Sequence, residues 1–414
     1  MRWMMKSKGQ VENYIYRRQI KAWLVSLLFW GCRVFPVSSH KIVMWTLEGK
    51  GGYGDSPKYI ARELLSRNRK RHRKYRIVWL TDVPAQEFPE EIKVVKNSVW
   101  NRAYHLSTAG FWVGNTRTGY GTRKRKGTVY IQTWHALAGI KPIGGQRGNK
   151  LPRMARIVSE ADSKLIDYVL CGNEWSYTMC PAGLLYNGPI LKTGTPRCDV
   201  LFGRTEEMRR KYRALYGLPS DARIVLYAPT FRGGSQSGKR SVSAGIGTMD
   251  FGQLIRALEG KFGGSWYVFL RFHPQVAGQA AVSGHNGKGG SDRVIEVSRH
   301  PDMNALIAAG DILITDYSSS IFESAILKQP GFLFVEDEEA YVEDRGRLMF
   351  ALDAMPFPTA RNMNELLSRI EQFDIAVYRC AVEQFLKELG FFEDGKASGR
   401  VADLMEGLTV TRDV

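Results

Sequence analysis

The chain is patterned as short apolar runs set between longer stretches with helical spacing. The run "HKIVMWT" leads through the Gly-rich "LEGKGGYGDSP" into "KYIARELLSR". This predicts a strand over Ile42–Thr46, a loop, and a helix entered near Asp55-Ser56-Pro57. Asp55 or Ser56 can cap that helix, and Pro57 suits its first turn. "RKYRIVWLTD", "IKVVKN", "TAGFWVGNT", "GTVYIQTWHA" and "IDYVLCGNE" predict further strands. Near residue 200 the pattern restarts with "ARIVLYAPTF", "WYVFLRFHP", "RVIEVS", "DILITDYSS" and "PGFLFVED". Helices at "MDFGQLIRALEGKF", "DMNALIAAG" and "SIFESAILK" separate these. Strands alternating with helices predict parallel, doubly wound α/β sheets, two in tandem with a cleft between them.

The expected division is a leading helix over 1–40, Rossmann-like halves over 41–203 and 204–375, and closing helices over 376–414. "EEMRRKYRALYGLPSDA" reads as the hinge region, and two Gly/Ser-rich loops, "RGGSQSGKRSVSAGIG" and "SGHNGKGGS", interrupt the second half. The leading segment carries "AWLVSLLFWGC" between Arg17, Arg18, Lys21 and Arg33. It is shorter than the ~20 apolar residues that span a bilayer. It reads either as an amphipathic helix lying in a membrane surface, with Trp23, Phe29 and Trp30 among the headgroups, or as a helix packed on the first half. No small-residue cleavage site follows it, so no cleavable signal is expected.

In doubly wound sheets, ligands sit beyond the carboxyl ends of strands. That rule singles out His135 after "VYIQTW" and Thr230 and Arg232 after "IVLYA". It also marks Arg271, His273 and Pro274 after "WYVFL", and Asp316 through Ser320 after "DILIT", with Glu323 a turn later. A single histidine at a strand end is more often structural than catalytic, and "DYSSSIFE" can be a helix cap alone. Together they describe more. A Ser-rich turn opening a helix suits phosphate. Arg232 can grip phosphate oxygens in a bidentate way. Two histidines, one from each half, suit proton transfer between a hydroxyl acceptor and a phosphate-ester donor. The loop after His135, "ALAGIKPIGG", is small and cationic and is expected to admit a bulky anionic acceptor past Trp134 and Lys141.

Charge sharpens the picture. Lys and Arg number 59 against 41 Asp and Glu, a net +18, which calls for an anionic partner: nucleic acid, membrane surface or polyanionic substrate. Three basic series, "RNRKRHRKYR", "TRKRKG" and Arg147/Lys150/Arg153/Arg156, lie in the first half, where they are expected to face such a partner. The five cysteines are scattered, and no cluster has metal-ligand spacing, so no disulfide framework, metal or cofactor is expected. A P-loop, a GxSxG elbow and HExxH are all absent.

The blocks "GGYGDSPKYIARELL", "QTWHALAGIKPIG", "TPRCDVLF", "VLYAPTFR", "LRFHP" and "GDILITDYSSSIFESAILKQPGFLFVEDEEAY" occur in that order over about residues 41–370. This resembles the CDP-glycerol glycerophosphotransferase family of teichoic-acid primases and polymerases. The resemblance implies a GT-B-like fold of two Rossmann-like domains. It implies transfer of glycerol phosphate or ribitol phosphate from a CDP-alditol to a hydroxyl of a lipid-linked anionic acceptor, releasing CMP. It implies no nucleic-acid partner and a peripheral place on the cytoplasmic face of a bacterial plasma membrane. By motif, His135 looks like the general base and His273 like the contact to the donor diphosphate and leaving CMP. Arg197 and Arg232 look like donor-phosphate ligands, Ser318 and Ser319 like phosphate-binding residues, and Glu323 like the holder of donor hydroxyls. This chain reads "WHALAGIK" where many members read "WHGTPLK", and has Glu323 where many have aspartate. Sugar transfer from a nucleotide sugar by a GT-B enzyme, and non-catalytic polyanion binding, are the competing readings.

Overall fold

A computed structural model describes residues 8–71, 75–84, 87–230, 248–272 and 292–413. Two parallel sheets organise them. The first is ordered β3-β2-β1-β4-β5-β6-β7. Its strands are β1 Ser38–Trp45, β2 Arg76–Thr81, β3 Lys93–Lys96, β4 Ala109–Gly114, β5 Val129–Gln132, β6 Tyr168–Leu170 and β7 Ile190–Leu191. The second is ordered β10-β9-β8-β11-β12-β13. It comprises β8 Arg223–Ala228, β9 Trp266–Leu270, β10 Val294–Glu296, β11 Ile312–Thr315, β12 Gly331–Phe334 and β13 Thr359–Ala360. Every run named above lies on a strand. β7 and β13 escape a sequence reading because two residues carry no periodicity. In each sheet the order reverses once, between β1 and β4 and between β8 and β11, which is where such sheets hold ligands.

Burial on both faces explains the apolar runs. Ile42 and Met44 enter one core and Val43 and Trp45 the other. A parallel sheet covered on both sides therefore needs four apolar residues in a row. Helix α2 (Asp55–Arg71) covers the first of these faces together with the final helix, Ala397–Asp413, whose Val401, Ala402 and Met405 join that core. The closing helices thus part company. Ile375–Glu388 packs against Ser320–Ile326 of the second half, and Ala397–Asp413 returns to the first. The expected hinge is a helix, Thr205–Leu215, with Met208 and Tyr212 buried in the second core. Cys198, Val200 and Leu201, in the 3-10 turn Pro196–Leu201, already belong to that core.

Helix α1 (Lys8–Gly31) reconciles two expectations. Ile15, Ala22, Val25 and Phe29 fall on one helical face and are buried, beside α3 (Val99–Ser107). Gly121 permits this packing: its φ is 97°, and a Cβ there would stand 2.4 Å from the Ala22 carbonyl oxygen. Ile20, Trp23, Leu24, Leu27 and Trp30 form a second apolar stripe, which is exposed. The helix is therefore both packed on the first half and apolar toward solvent. No described helix is long and apolar enough to cross a membrane.

Candidate active site

At the end of β5 the backbone bends sharply, with Trp134 at φ 52°. That region is costly for a bulky side chain and persists only when neighbours enforce it. Here Gln132 does so: its Oε1 accepts from the Trp134 amide at 3.0 Å, and its Nε2 donates to the Tyr130 hydroxyl at 2.8 Å. The bend buries Trp134 and leaves His135 exposed, their rings 4.3 Å apart. Nδ1 of His135 lies 2.9 Å from the Asn115 carbonyl oxygen, just past β4. A carbonyl can only accept, so Nδ1 carries the proton and Nε2 keeps its lone pair. Although part of the residue meets solvent, the surrounding walls cost the ring solvation, which pushes its pKa down. The Asn115 hydrogen bond and Asp55 oppose this, while Arg197 and Lys141 reinforce it.

Behind the histidine lies an ion-pair junction. Arg197 Nη2 donates to Glu323 Oε1 at 2.7 Å, and both side chains are only 4% exposed. Arg197 Nη1 is 3.5 Å from both Asp55 Oδ1 and the Trp134 carbonyl oxygen. Burial works against the guanidinium charge, but Asp55 and Glu323 outweigh it and hold its pKa above the ordinary value. The two residues expected to grip the donor are thus turned toward each other. Glu323 keeps one oxygen, Oε2, buried and, among the described residues, without a hydrogen-bond partner.

A second junction joins the halves. Asp302 accepts from Lys58 Nζ at 2.5 Å and Tyr59 hydroxyl at 2.7 Å, both on α2. Gly54 lets the loop before α2 approach, since a Cβ there would sit 2.2 Å from the Pro301 carbonyl oxygen. Arg271 points into this region rather than at an open strand end: its Nη1 donates to the His300 carbonyl at 2.5 Å. Burial pushes its pKa down to about 10. Thr230 donates its amide and hydroxyl to Asp316, each at 2.9 Å, tying the ends of β8 and β11 together. Ser318 and Ser319 follow, half-buried, with Ser318 Oγ 3.0 Å from Ser320 Oγ. Arg232, His273 and Pro274 lie outside the described residues, as do both Gly/Ser-rich loops.

Two expectations change. The loop after His135 is not an open entrance. Leu137, Ala138 and Ile140 are buried in the core of the second half, and the Ile140 carbonyl accepts from the Met349 amide at 2.7 Å. Small residues there serve close packing between the halves, and Lys141 stays near enough to bear on His135. Much of the basic series is structural as well. Arg67 pairs with Glu63, Asp403 and Glu406. Lys124 pairs with Asp167. Arg147 and Lys150 donate to carbonyls of residues 342–345, at the end of the helix Glu338–Arg345, where cations complement the helix dipole.

The sequence reading passed over Asn115, Gln132 and, except as a cap, Asp55. Asn115 follows a predicted strand, so the rule that found His135 also reaches it. Gln132 shows itself only as a polar break in an apolar strand. Nothing local marks Asp55 as a neighbour of His135.

The two doubly wound sheets, with His135 at the carboxyl end of a strand of one and a Ser-rich turn at the end of a strand of the other, form a GT-B-like architecture. The chain belongs to the CDP-glycerol:poly(glycerophosphate) glycerophosphotransferase family, which its residues 29–407 match. It is 29% identical over 97% of its length to the teichoic acid poly(glycerol phosphate) polymerase of Staphylococcus epidermidis, of which it spans 55%. It is 25% identical, over 97% of its length and 100% of the relative, to a polymerase of the same description from Bacillus spizizenii. Against its first two curated relatives the chain spans about half their length. A solved structure of the wall teichoic acid polymerase TagF superposes with a TM-score of 0.76, covering 97% of this chain and 99% of that one at 25% identity.

Proposed function

We propose that the chain transfers an alditol phosphate, glycerol phosphate or ribitol phosphate, from a CDP-alditol to a hydroxyl of a polymeric or lipid-linked acceptor, in teichoic-acid or capsule-type polymer synthesis. The observation that carries this is His135 at a strand end, its Nδ1 held by the Asn115 carbonyl and its Nε2 without a hydrogen-bond partner among the described residues. Nε2 takes the acceptor hydroxyl proton as the oxygen attacks the phosphorus bearing the alditol. The bond from that phosphorus to the bridging oxygen breaks, and CMP leaves. His273, directly after Phe272, contacts the donor diphosphate and stabilises the departing phosphate, with Arg232, Ser318 and Ser319 on the donor side. Arg197 and Glu323 act as positioning residues that fix Asp55 and the Trp134 carbonyl around His135. A donor panel tests the class: CDP-glycerol or CDP-ribitol should be turned over when acceptor is present, and UDP- or GDP-sugars should not.

A depressed histidine pKa has a visible consequence. The neutral ring is the base, so kcat/KM should rise with pH through a limb below the ordinary histidine value of about 6.5 and be level by pH 7. A limb centred above pH 7 contradicts a desolvated His135 as the base.

We further infer that the protein sits on a membrane surface through the outer stripe of α1. Trp23, Leu27 and Trp30 are exposed at 60%, 47% and 61%, and Arg17, Lys21 and Arg33 flank them. Burying each large apolar side chain contributes about 1.5–3 kcal/mol, and each basic residue near an anionic surface about 1 kcal/mol. Trp23→Ala/Leu27→Ala/Trp30→Ala should cut flotation with phosphatidylglycerol vesicles by well over tenfold without lowering the unfolding midpoint. Flotation equal to that of the unaltered chain overturns this placement.

A further inference from the structure

Between α1 and the first sheet lies a cavity of about 220 Å³ whose walls include Arg18, Arg102, Arg117, Glu48, Trp45 and Tyr120. Water's share of liquid volume is about 30 Å³, so the space admits a phosphate ester. Three guanidiniums face it with one lining carboxylate, Glu48, which is exposed. Among the described residues no hydrogen bond or ion pair engages the side chain of Arg18, Arg102 or Arg117, and Nε of both Arg18 and Arg102 is buried without a partner. Asp162, near Arg117, accepts through Oδ1 from the Thr118 amide at 2.8 Å and hydroxyl at 2.7 Å, and it acts on Arg117 by charge without an ion-pair contact. Burial pushes the pKa of Arg102 and Arg117 below the ordinary guanidinium value. Guanidinium donors left unused in a half-buried wall are costly, and a phosphate is the group their fork geometry matches.

The cavity's place matters as much as its charge. The segment that gives His135 its Asn115 partner continues through Thr116 into Arg117, Thr118 and Tyr120 of the cavity wall. Arg117 lies over the Trp134 ring at 5.7 Å, directly behind the bend that presents His135. Arg18 belongs to α1 itself, so the cavity stands between the exposed stripe of that helix and the histidine.

We propose that this cavity is a phosphate subsite for the acceptor, in which Arg18, Arg102 and Arg117 hold a phosphate group one step away from the hydroxyl that His135 deprotonates. The inference rests on the transferase reading for the word acceptor, while phosphate binding stands independently of it. The test uses the full chain, a short soluble oligo(glycerol phosphate), phosphatidylglycerol vesicles and CDP-glycerol, with binding read by calorimetry and flotation. Arg102→Gln/Arg117→Gln should weaken oligomer binding roughly tenfold for each arginine removed, leave CDP-glycerol binding unchanged, and shift the unfolding midpoint little, because among the described residues neither guanidinium is in a salt bridge and Glu48, Asp82 and Asp162 act on them only at longer range. Arg102→Lys/Arg117→Lys, which keeps charge but loses the fork, should fall in between. A loss for the oligomer supports the acceptor subsite, whereas a loss confined to vesicles assigns the phosphate to a lipid headgroup and overturns the acceptor assignment. Unchanged binding of both overturns it. If the unaltered chain turns over no CDP-alditol while oligomer binding still depends on the two arginines, the transfer reading fails and the subsite remains.

Discussion

His135→Gln should lower acceptor-dependent CMP release by at least about a hundredfold, the lower end of what a positioned general base contributes. Its unfolding midpoint should not move by more than a small amount. The residue is partly exposed and, among the described residues, its side chain makes one hydrogen bond, to the Asn115 carbonyl, so little packing is lost with it. Glutamine can still donate to that carbonyl but offers no basic nitrogen. The geometry invested in this residue lies before it: the left-handed Trp134, the buried Gln132 that holds it, and the Arg197 contact to the Trp134 carbonyl. Strained backbone of this kind points to a site rather than to stability. Activity within a few-fold of the unaltered chain would remove His135 from the mechanism.

The second large effect is on stability. Arg197→Met should cost about 3–5 kcal/mol, because it strands the Glu323 carboxylate in a buried site beside Asp55. Replacing both partners, Arg197→Met/Glu323→Gln, should recover much of that loss, since a buried pair removed whole is often close to neutral. Denaturant midpoints of the two single variants and the double variant measure the coupling. Losses that simply add would show that the pair does not act as a unit. The same cycle read through kcat separates positioning from folding. The double variant should fold yet turn over slowly, with Asp55 and the Trp134 carbonyl no longer fixed by the guanidinium.

The architecture was legible because both sheets are parallel and buried on two faces, which writes each strand as an unbroken apolar run. His135 was legible because it follows such a run. The junction was not. Arg197 and Glu323 are 126 residues apart, and nothing in "TPRCDV" or "SIFES" announces that they meet. The stretch after His135 misled for a related reason. Alanine, glycine and leucine in a row look like an open loop, but small apolar residues also let two domains close on one another, and Leu137–Ile140 do that. The basic series misled because charge alone does not tell a helix-end contact, as Arg147 and Lys150 make, from a free surface. Helix α1 carried both of its readings at once, since two apolar stripes on one helix satisfy a core and leave a face outward.

The most direct test is the identity of the nucleotide released when donor and a lipid-linked acceptor are supplied together, read by mass spectrometry alongside the acceptor. Alditol-phosphate transfer releases one CMP for each alditol phosphate the acceptor gains, and His135→Gln should suppress both in parallel. Release of a nucleoside diphosphate with a sugar added to the acceptor, or binding of polyanions with no nucleotide released from any donor, would contradict it.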